Sequence, residues 1–204
     1  DPDVPDSFRL ELADAMLAPA VDTVYGWGEP VNGVDAWVAT VSFSAQMFFD
    51  FAGSSVTAIG PAMCLGFSIP NNFRAPYAAI GVADYWRRWH ISFSTWLRDY
   101  VYYPLGGSRK GELRTNVNLM ITLLISGLWH GANWTFVVWG GVFGLLLCAE
   151  RLLRRWTKGW NFPQGVWFAI GMMLLTFTLV SLMRVLFRSP TLTEAMSLFK
   201  SMVG

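Results

Sequence analysis

Two side chains in this chain can exchange a proton near neutral pH, His90 and His130; the sequence holds no third histidine. Imidazole titrates close to neutrality, which suits it to general acid–base work. His130 lies in residues 119–134, LMITLLISGLWHGANW, where one apolar run ends and a second begins almost at once. A histidine at the tip of a membrane helix is costly unless it has a partner or a task. An imidazole kept from water favours its neutral, proton-accepting form, and general-base action is worth roughly 10²–10⁴-fold. The plain alternative is a helix-end histidine bonded to a neighbour, with Ser126 and Asn133 in reach. Asn118, Thr122, Ser126 and His130 fall four apart and form a polar stripe leading to the histidine. That stripe and the apolar setting favour chemistry, although Ser and Thr in such helices often bond back to the i−4 carbonyl.

His90 sits in residues 83–100, ADYWRRWHISFSTWLRDY. At helical pitch, residues 82–101 predict one amphipathic helix. Trp86, Trp89, Phe93, Trp96, Leu97, Tyr100 and Val101 share a face; Asp84, Arg87, Arg88, Ser92, Ser94, Thr95, Arg98 and Asp99 take the other. This is the pattern of a helix at a membrane surface. His90 falls near the edge of the aromatic face, one turn from Ser94 and flanked by Arg87 and Arg98. Those arginines suit lipid head groups or an anionic substrate group. On spacing alone, His90 reads first as an interfacial histidine in an aromatic belt. Asp50, a charge ending an apolar run, reads equally as a cap for the next run or as a functional carboxylate.

Composition sets the elements that must hold these groups. Of 204 residues, 53% are hydrophobic, 16% aromatic and only 14% charged, against about 25% charged in ordinary soluble domains. Mean hydropathy is +0.38. These are membrane values, and with the apolar helical runs along the chain they predict an all-α, multi-pass membrane protein. A net charge of +1 with no dense basic face argues against nucleic acid. Cys64 and Cys148 lie far apart in apolar surroundings and read as buried thiols; with two histidines they make no zinc pattern. No G-x-S-x-G elbow and no Gly-rich phosphate loop occurs, and nothing specific favours a bis-histidine haem. The chain begins at Asp1, lacks a signal peptide and reads as a fragment.

Along the chain, residues 1–6 form a Pro/Asp lead and 7–25 an interfacial amphipathic helix, followed by a loop over 26–33. Residues 36–51 and 54–67 are two apolar runs, the second interrupted by Gly60-Pro61. Each is shorter than the ~20 residues a bilayer requires, which predicts a broken or partly inserted pair. Residues 68–77 make a loop and 104–114 a basic turn. The run 115–130 predicts a helix of about 24 Å at 1.5 Å per residue, short of a full crossing. The returning run, 133–150, carries Gly140 and Gly144 in a small-xxx-small arrangement that admits a close neighbour. Basic clusters at 109–114 and 151–158 bracket this hairpin and so lie on one side, cytoplasmic by the positive-inside rule. Residues 164–187 are the clearest span, with Arg184 and Arg188 at its far end read as snorkelling. Residues 191–203 form an amphipathic tail. There is no internal repeat or linker, so 1–204 reads as one unit.

Several motifs together resemble the membrane-bound O-acyltransferases, most closely the bacterial branch that includes the membrane subunit of alginate O-acetylation. They are Asp50-Phe51-Ala52-Gly53, Asn72-Phe73-Arg74-Ala75-Pro76-Tyr77, Trp86-Arg87-Arg88-Trp89-His90-Ile91-Ser92, Trp96-Leu97-Arg98-Asp99-Tyr100, Pro104-Leu105-Gly106-Gly107 and Ser126-Gly127-Leu128-Trp129-His130-Gly131-Ala132. The D-alanyl-transfer branch is similar at both histidine motifs but usually lacks the Pro-Leu-Gly-Gly turn, and ranks second. The resemblance implies a funnel-shaped membrane core with short, broken and interfacial helices, catalytic His130 and a second active-site histidine, His90. The substrate-binding candidates are Asp50, Arg87, Arg98, Ser126, Trp129 and Asn133, with no metal. No cofactor stays bound; the acyl donor is acetyl-CoA or an acyl-carrier thioester. The implied acceptor is an extracytoplasmic polysaccharide, reached through periplasmic acetyl-transfer partner proteins, from a bacterial inner membrane. Where the family often carries a further histidine, Phe143-Gly144 stands here. Family members are considerably longer, so several of their membrane helices have no counterpart in this chain. A reading of another class is a non-catalytic membrane subunit that docks or conducts an acyl carrier.

Overall fold

The computed structural model describes residues 6–26, 31–160 and 165–204. Residues 1–5 of the predicted Pro/Asp lead, residues 27–30 of the expected loop, and Gln164 fall outside them. Among the described residues there is no strand. Eight α-helices follow in order: α1 Asp6–Gly26, α2 Gly33–Cys64, α3 Val82–Arg88, α4 Ile91–Leu97, α5 Glu112–His130, α6 Trp134–Trp156, α7 Val166–Arg188 and α8 Leu192–Val203. A 3-10 turn at Pro76–Ala78 precedes α3, and a π-helical turn at Arg98–Tyr102 follows α4. The all-α class expected from the sequence is what the structure has. The helices α6 and α7, 23 residues each, are long and apolar enough to cross a membrane.

The chain divides into two compact units, residues 1–72 with 188–204, and residues 73–187. In the first, α2 is a single helix of 32 residues, where the sequence reading expected a broken pair. The Asp50–Gly53 stretch does not interrupt it. Pro61 sits in its last turn, where the absent N–H costs one bond near a helix end that is about to stop anyway. Asp50 therefore lies mid-helix and exposed and caps nothing. The side chain of Asn32 caps the helix start by accepting from the Asp35 N–H at 2.9 Å. Tyr25 of α1 meets the Thr40 hydroxyl at 3.2 Å, and the Trp37 indole donates to the Met202 carbonyl of α8 at 3.3 Å. Arg188 pairs with Asp22 at 3.0 Å and its guanidinium lies over the Tyr25 ring.

In the second unit, α5 and α6 form the expected hairpin. A Cβ added at Gly140 would run into the Leu123 carbonyl oxygen, and one at Gly127 into the Phe136 carbonyl oxygen. Helix backbones touch there, and only glycine permits it. Gly144 extends the contact, its missing Cβ giving room to the Met120 sulfur. At the basic end, Glu112 of α5 accepts from Arg151 at 3.0 Å and from Arg155 at 2.7 Å, both of α6. The helix α5 starts at Glu112, ahead of the apolar run, and rises about 28 Å over its 19 residues.

The single helix expected over 82–101 is instead two seven-residue helices with a corner at Trp89-His90. His90 is left-handed, φ 46 and ψ 55. Of the expected aromatic face, Trp89, Phe93 and Leu97 are buried with Tyr85, while Trp96 and Tyr100 are exposed. The start of α3 is latched from two helices. The Gly81 N–H donates to Thr176 of α7 at 2.8 Å, and the Ala83 N–H donates to the Glu150 carboxylate of α6 at 2.9 Å.

Gly140→Leu forces a side chain into the Leu123 carbonyl and is expected to destabilise the hairpin by about 1–3 kcal/mol or more. Gly141→Ala, whose Cβ meets only the Leu124 side chain at 3.6 Å, is expected to be tolerated. Thermal melting of the two detergent-solubilised full-length variants separates them.

Candidate active site

His130 is the last residue of α5, half-buried and ringed by aromatics. Its imidazole centroid lies 4.9 Å from Phe187 of α7, 5.3 Å from Trp139 and 6.0 Å from Phe136, both of α6. The neighbouring Trp129 indole is 5.0 Å away. Ser126, a candidate partner, does not bond it: that hydroxyl is fully buried with no hydrogen-bond partner. The Asn133 side-chain oxygen accepts from the Thr135 N–H at 3.1 Å and caps α6. An apolar ring cage and no bond from Ser126 suit an imidazole that exchanges protons with a substrate rather than with the fold.

The corner after α3 brings His90 to the same place. Phe93 stacks on His90 at 5.0 Å and reaches His130 at 6.1 Å. Trp129, 60% exposed, lies 6.3 Å from His90 and 4.5 Å from Phe93. One Phe and one Trp thus touch both imidazoles. Burial holds His90 below its usual 6.5, at about 4, and the neighbouring His130 pushes the same way. Both causes disfavour the imidazolium.

The polar stripe behind His130 is largely structural. Thr122 donates back to the Asn118 carbonyl at 2.7 Å, the outcome weighed against function for such residues. The Asn118 amide donates to the Gly107 carbonyl at 2.9 Å and ties the Pro-Leu-Gly-Gly turn to α5.

A cavity of about 990 Å³ opens in the same unit, lined by Arg74, Arg87, Arg98, Arg151, Arg154, Arg155 and Lys158 against Glu112 and Glu150. Arg87 and Arg98 therefore stand in its wall, engaged with Asp84 at 3.3 Å and Asp99 at 2.8 Å. Trp86 also lines it and meets Trp139 at 6.0 Å, so two indoles link the cavity wall to His130. Phe143, 2% exposed, packs on both indoles, at 5.4 and 5.0 Å. It fills as a ring the position where a further histidine was considered. Among the described residues, no three His, Cys, Asp or Glu side chains cluster as metal ligands do. Asp50 belongs to the other unit and is exposed on α2.

Sequence reasoning missed Phe136, Trp139 and Phe187 as the cage of His130, and Glu150 as the latch of α3. Trp139 and Phe136 are three apart on the first turns of α6 and could have been placed beside His130 from the tight hairpin alone. Nothing in the spacing of α7 indicates Phe187.

The sequence pattern of the membrane-bound O-acyltransferase family matches residues 29–192. The chain belongs to the membrane-bound O-acyltransferase family. It is 42% identical over 194 residues to a probable alginate O-acetylase of Pseudomonas putida, covering 95% of this chain and 38% of that relative. It is 40% identical over 196 residues to a peptidoglycan O-acetyltransferase of Helicobacter pylori, covering 96% and 36%. Against a teichoic acid D-alanyltransferase of Bacillus subtilis it is 29% identical over 146 residues, covering 68% and 37%. The chain thus spans little more than a third of the length of these curated relatives. As a member of this family it is a membrane protein.

The depressed pKa of His90 has a consequence for stability. The unfolded chain takes up the His90 proton near pH 6.5, the folded chain only near 4. Between those values the unfolded state binds more protons, so stability falls as pH falls through the window. The thermal midpoint of the solubilised full-length protein is expected to drop between pH 6.5 and 4, and His90→Gln to remove part of that slope. An identical slope in the variant refutes the burial of a neutral His90.

Proposed function

We propose that this segment carries the acyl-transfer centre of a membrane O-acyltransferase. The enzyme moves an acyl group, acetyl in this reading, from a cytoplasmic thioester donor toward hydroxyls of an extracytoplasmic polysaccharide. The placement of His130 carries the proposal: a half-buried imidazole at the end of an apolar helix, caged by rings and sharing Phe93 and Trp129 with His90. The names of the relatives in Pseudomonas putida and Helicobacter pylori, both O-acetyl-transferring, support the acetyl reading.

In this mechanism the His130 imidazole takes the acceptor hydroxyl proton while the oxygen bonds to the thioester carbonyl carbon. The tetrahedral intermediate collapses, the C–S bond breaks, and the leaving thiolate takes the proton back from the imidazolium. His90 orients the donor or steadies the developing oxyanion. The donor, acetyl-CoA or an acyl-carrier thioester, presents its charged part to the basic cavity, with Arg87 and Arg98 in its wall. Trp129, Ser126 and Asn133 remain substrate-binding candidates. Periplasmic partner proteins pass the acetyl group onward, and the protein lies as a multi-pass protein in a bacterial inner membrane. D-alanyl transfer from a carrier is the second reading, on the weaker similarity to the Bacillus subtilis relative.

The test compares glycan-bound acetyl in cells expressing the full-length gene, wild type or His130→Ala, at matched membrane levels. Loss of at least about 10²-fold is expected for a general base. Unchanged acetyl rejects the role of His130 and favours a docking subunit; a D-alanyl ester in place of acetyl selects the second reading.

A further inference from the structure

The helix α7 buries a cation. Arg184 is 4% exposed, although an apolar side chain would sit in a membrane helix at far lower cost. The sequence reading let this residue snorkel toward the helix end, and the structure turns it inward. Its guanidinium lies 4.3 Å from the centroid of the Trp89 ring, and its Nη2 donates to the Tyr85 hydroxyl at 2.9 Å. Tyr85 of α3 and Trp89, the residue just past its end, stack on each other at 5.7 Å. One guanidinium therefore grips a ring of α3 and a ring of the corner, and the second of them is the residue before His90.

That grip bears on a strained point. A left-handed, non-glycine residue between two short helices persists only where surrounding contacts over-determine it. The helical spacing of residues 82–101 favours continuing α3 straight through the corner. Locally the corner is held by the Ser94 N–H donating to the His90 carbonyl at 2.9 Å and by the Ser94 hydroxyl donating to the Trp89 carbonyl at 3.3 Å. Phe73 adds an edge contact to Trp89 at 4.9 Å. From the loop before α3 the Arg74 N–H donates to the Arg88 carbonyl at 3.0 Å; Arg184 is the contact that reaches these rings from the long helix α7.

We propose that Arg184 is a positioning residue: by clamping Trp89 and Tyr85 from α7 it holds the α3–α4 corner bent and keeps the His90 imidazole beside Phe93, Trp129 and His130. The proposal rests on the reading of His90 as a residue of the acyl-transfer centre. Loss of the clamp lets the corner relax toward helix, and His90 turns away from the ring cage into more open surroundings. The titratable and charged groups around the corner are Tyr77, Tyr85, Arg184 and His130, with Asp84, Arg87 and Arg88 on the outer side of α3.

The experiment uses the purified full-length protein in detergent, as wild type, Arg184→Gln and Arg184→Lys. Carbethoxylation of His90 by diethyl pyrocarbonate is followed by mass spectrometry of its peptide at pH 7.5 and 5.5. Only neutral imidazole reacts, so with His90 titrating at about 4 the wild-type rates at the two pH values should be nearly equal. In Arg184→Gln the ratio is expected to rise several-fold as His90 approaches its ordinary pKa of about 6.5. Acyl transfer is expected to fall on the order of 10²-fold, as for a reacting group misplaced by about 1 Å. Arg184→Lys keeps the charge but not the planar stack and should lie between, which covers the case of a Gln variant that fails to fold. A His90 ratio unchanged in the folded variants overturns the proposal. A ratio that shifts while transfer is unaffected upholds the clamp and rejects His90 as part of the centre.

Discussion

The backbones of α5 and α6 touch at Gly127 and Gly140, and the geometry of the candidate site follows from that contact. Neither position has room for a Cβ. Such closeness sets the rotation of each helix about the other, because a glycine face can meet a glycine face in few ways. It fixes the end of α5, where His130 sits, against the first turns of α6, where Phe136 and Trp139 sit. The far end of the hairpin is fixed by Glu112 taking both Arg151 and Arg155. The histidine is therefore placed by contacts along the whole hairpin and not by a hydrogen bond of its own.

Against this rigid pair the short helices α3 and α4 are held from several sides. Glu150 and Thr176 satisfy N–H groups at the start of α3 that no helix can satisfy for itself. Arg184 and the stacked rings hold its end. Irregular backbone survives at the Trp89-His90 corner because protein packs around it. The corner turns an otherwise amphipathic stretch so that its histidine faces the other one. It also leaves Arg87 in the wall of the basic cavity, with Trp86 beside it.

The polar residues within the helices divide by what they bond. Thr122 and Thr115 return their hydroxyls to carbonyls one turn back, and Asn118 reaches out of its helix to Gly107. Ser126 of α5 and Thr135 of α6 keep buried hydroxyls without a partner. The stripe Asn118, Thr122, Ser126 and His130 is thus one fastening, one local bond, one buried hydroxyl without a partner and one imidazole, and spacing carries no mark of which is which.

The sequence by itself determined the helical class, the α5–α6 hairpin with its small-residue seam, the span of α7 and the two histidines as the groups able to move a proton. These are local properties: apolar run length, glycine spacing, charge placement and the chemistry of a side chain. It did not determine that Gly60-Pro61 leaves α2 unbroken, because a proline breaks a helix only where turns remain to be lost. Nor did it determine the corner at His90, since helical periodicity continues through it and the bend is imposed by α6 and α7 from outside. Arg184 was legible as a charge in a span, but whether a long side chain reaches for water or for Trp89 depends on which ring stands beside it. The tertiary structure decided that, and with it the meeting of two histidines 40 residues apart, because an approach between distant segments is set by packing and leaves no period in the chain.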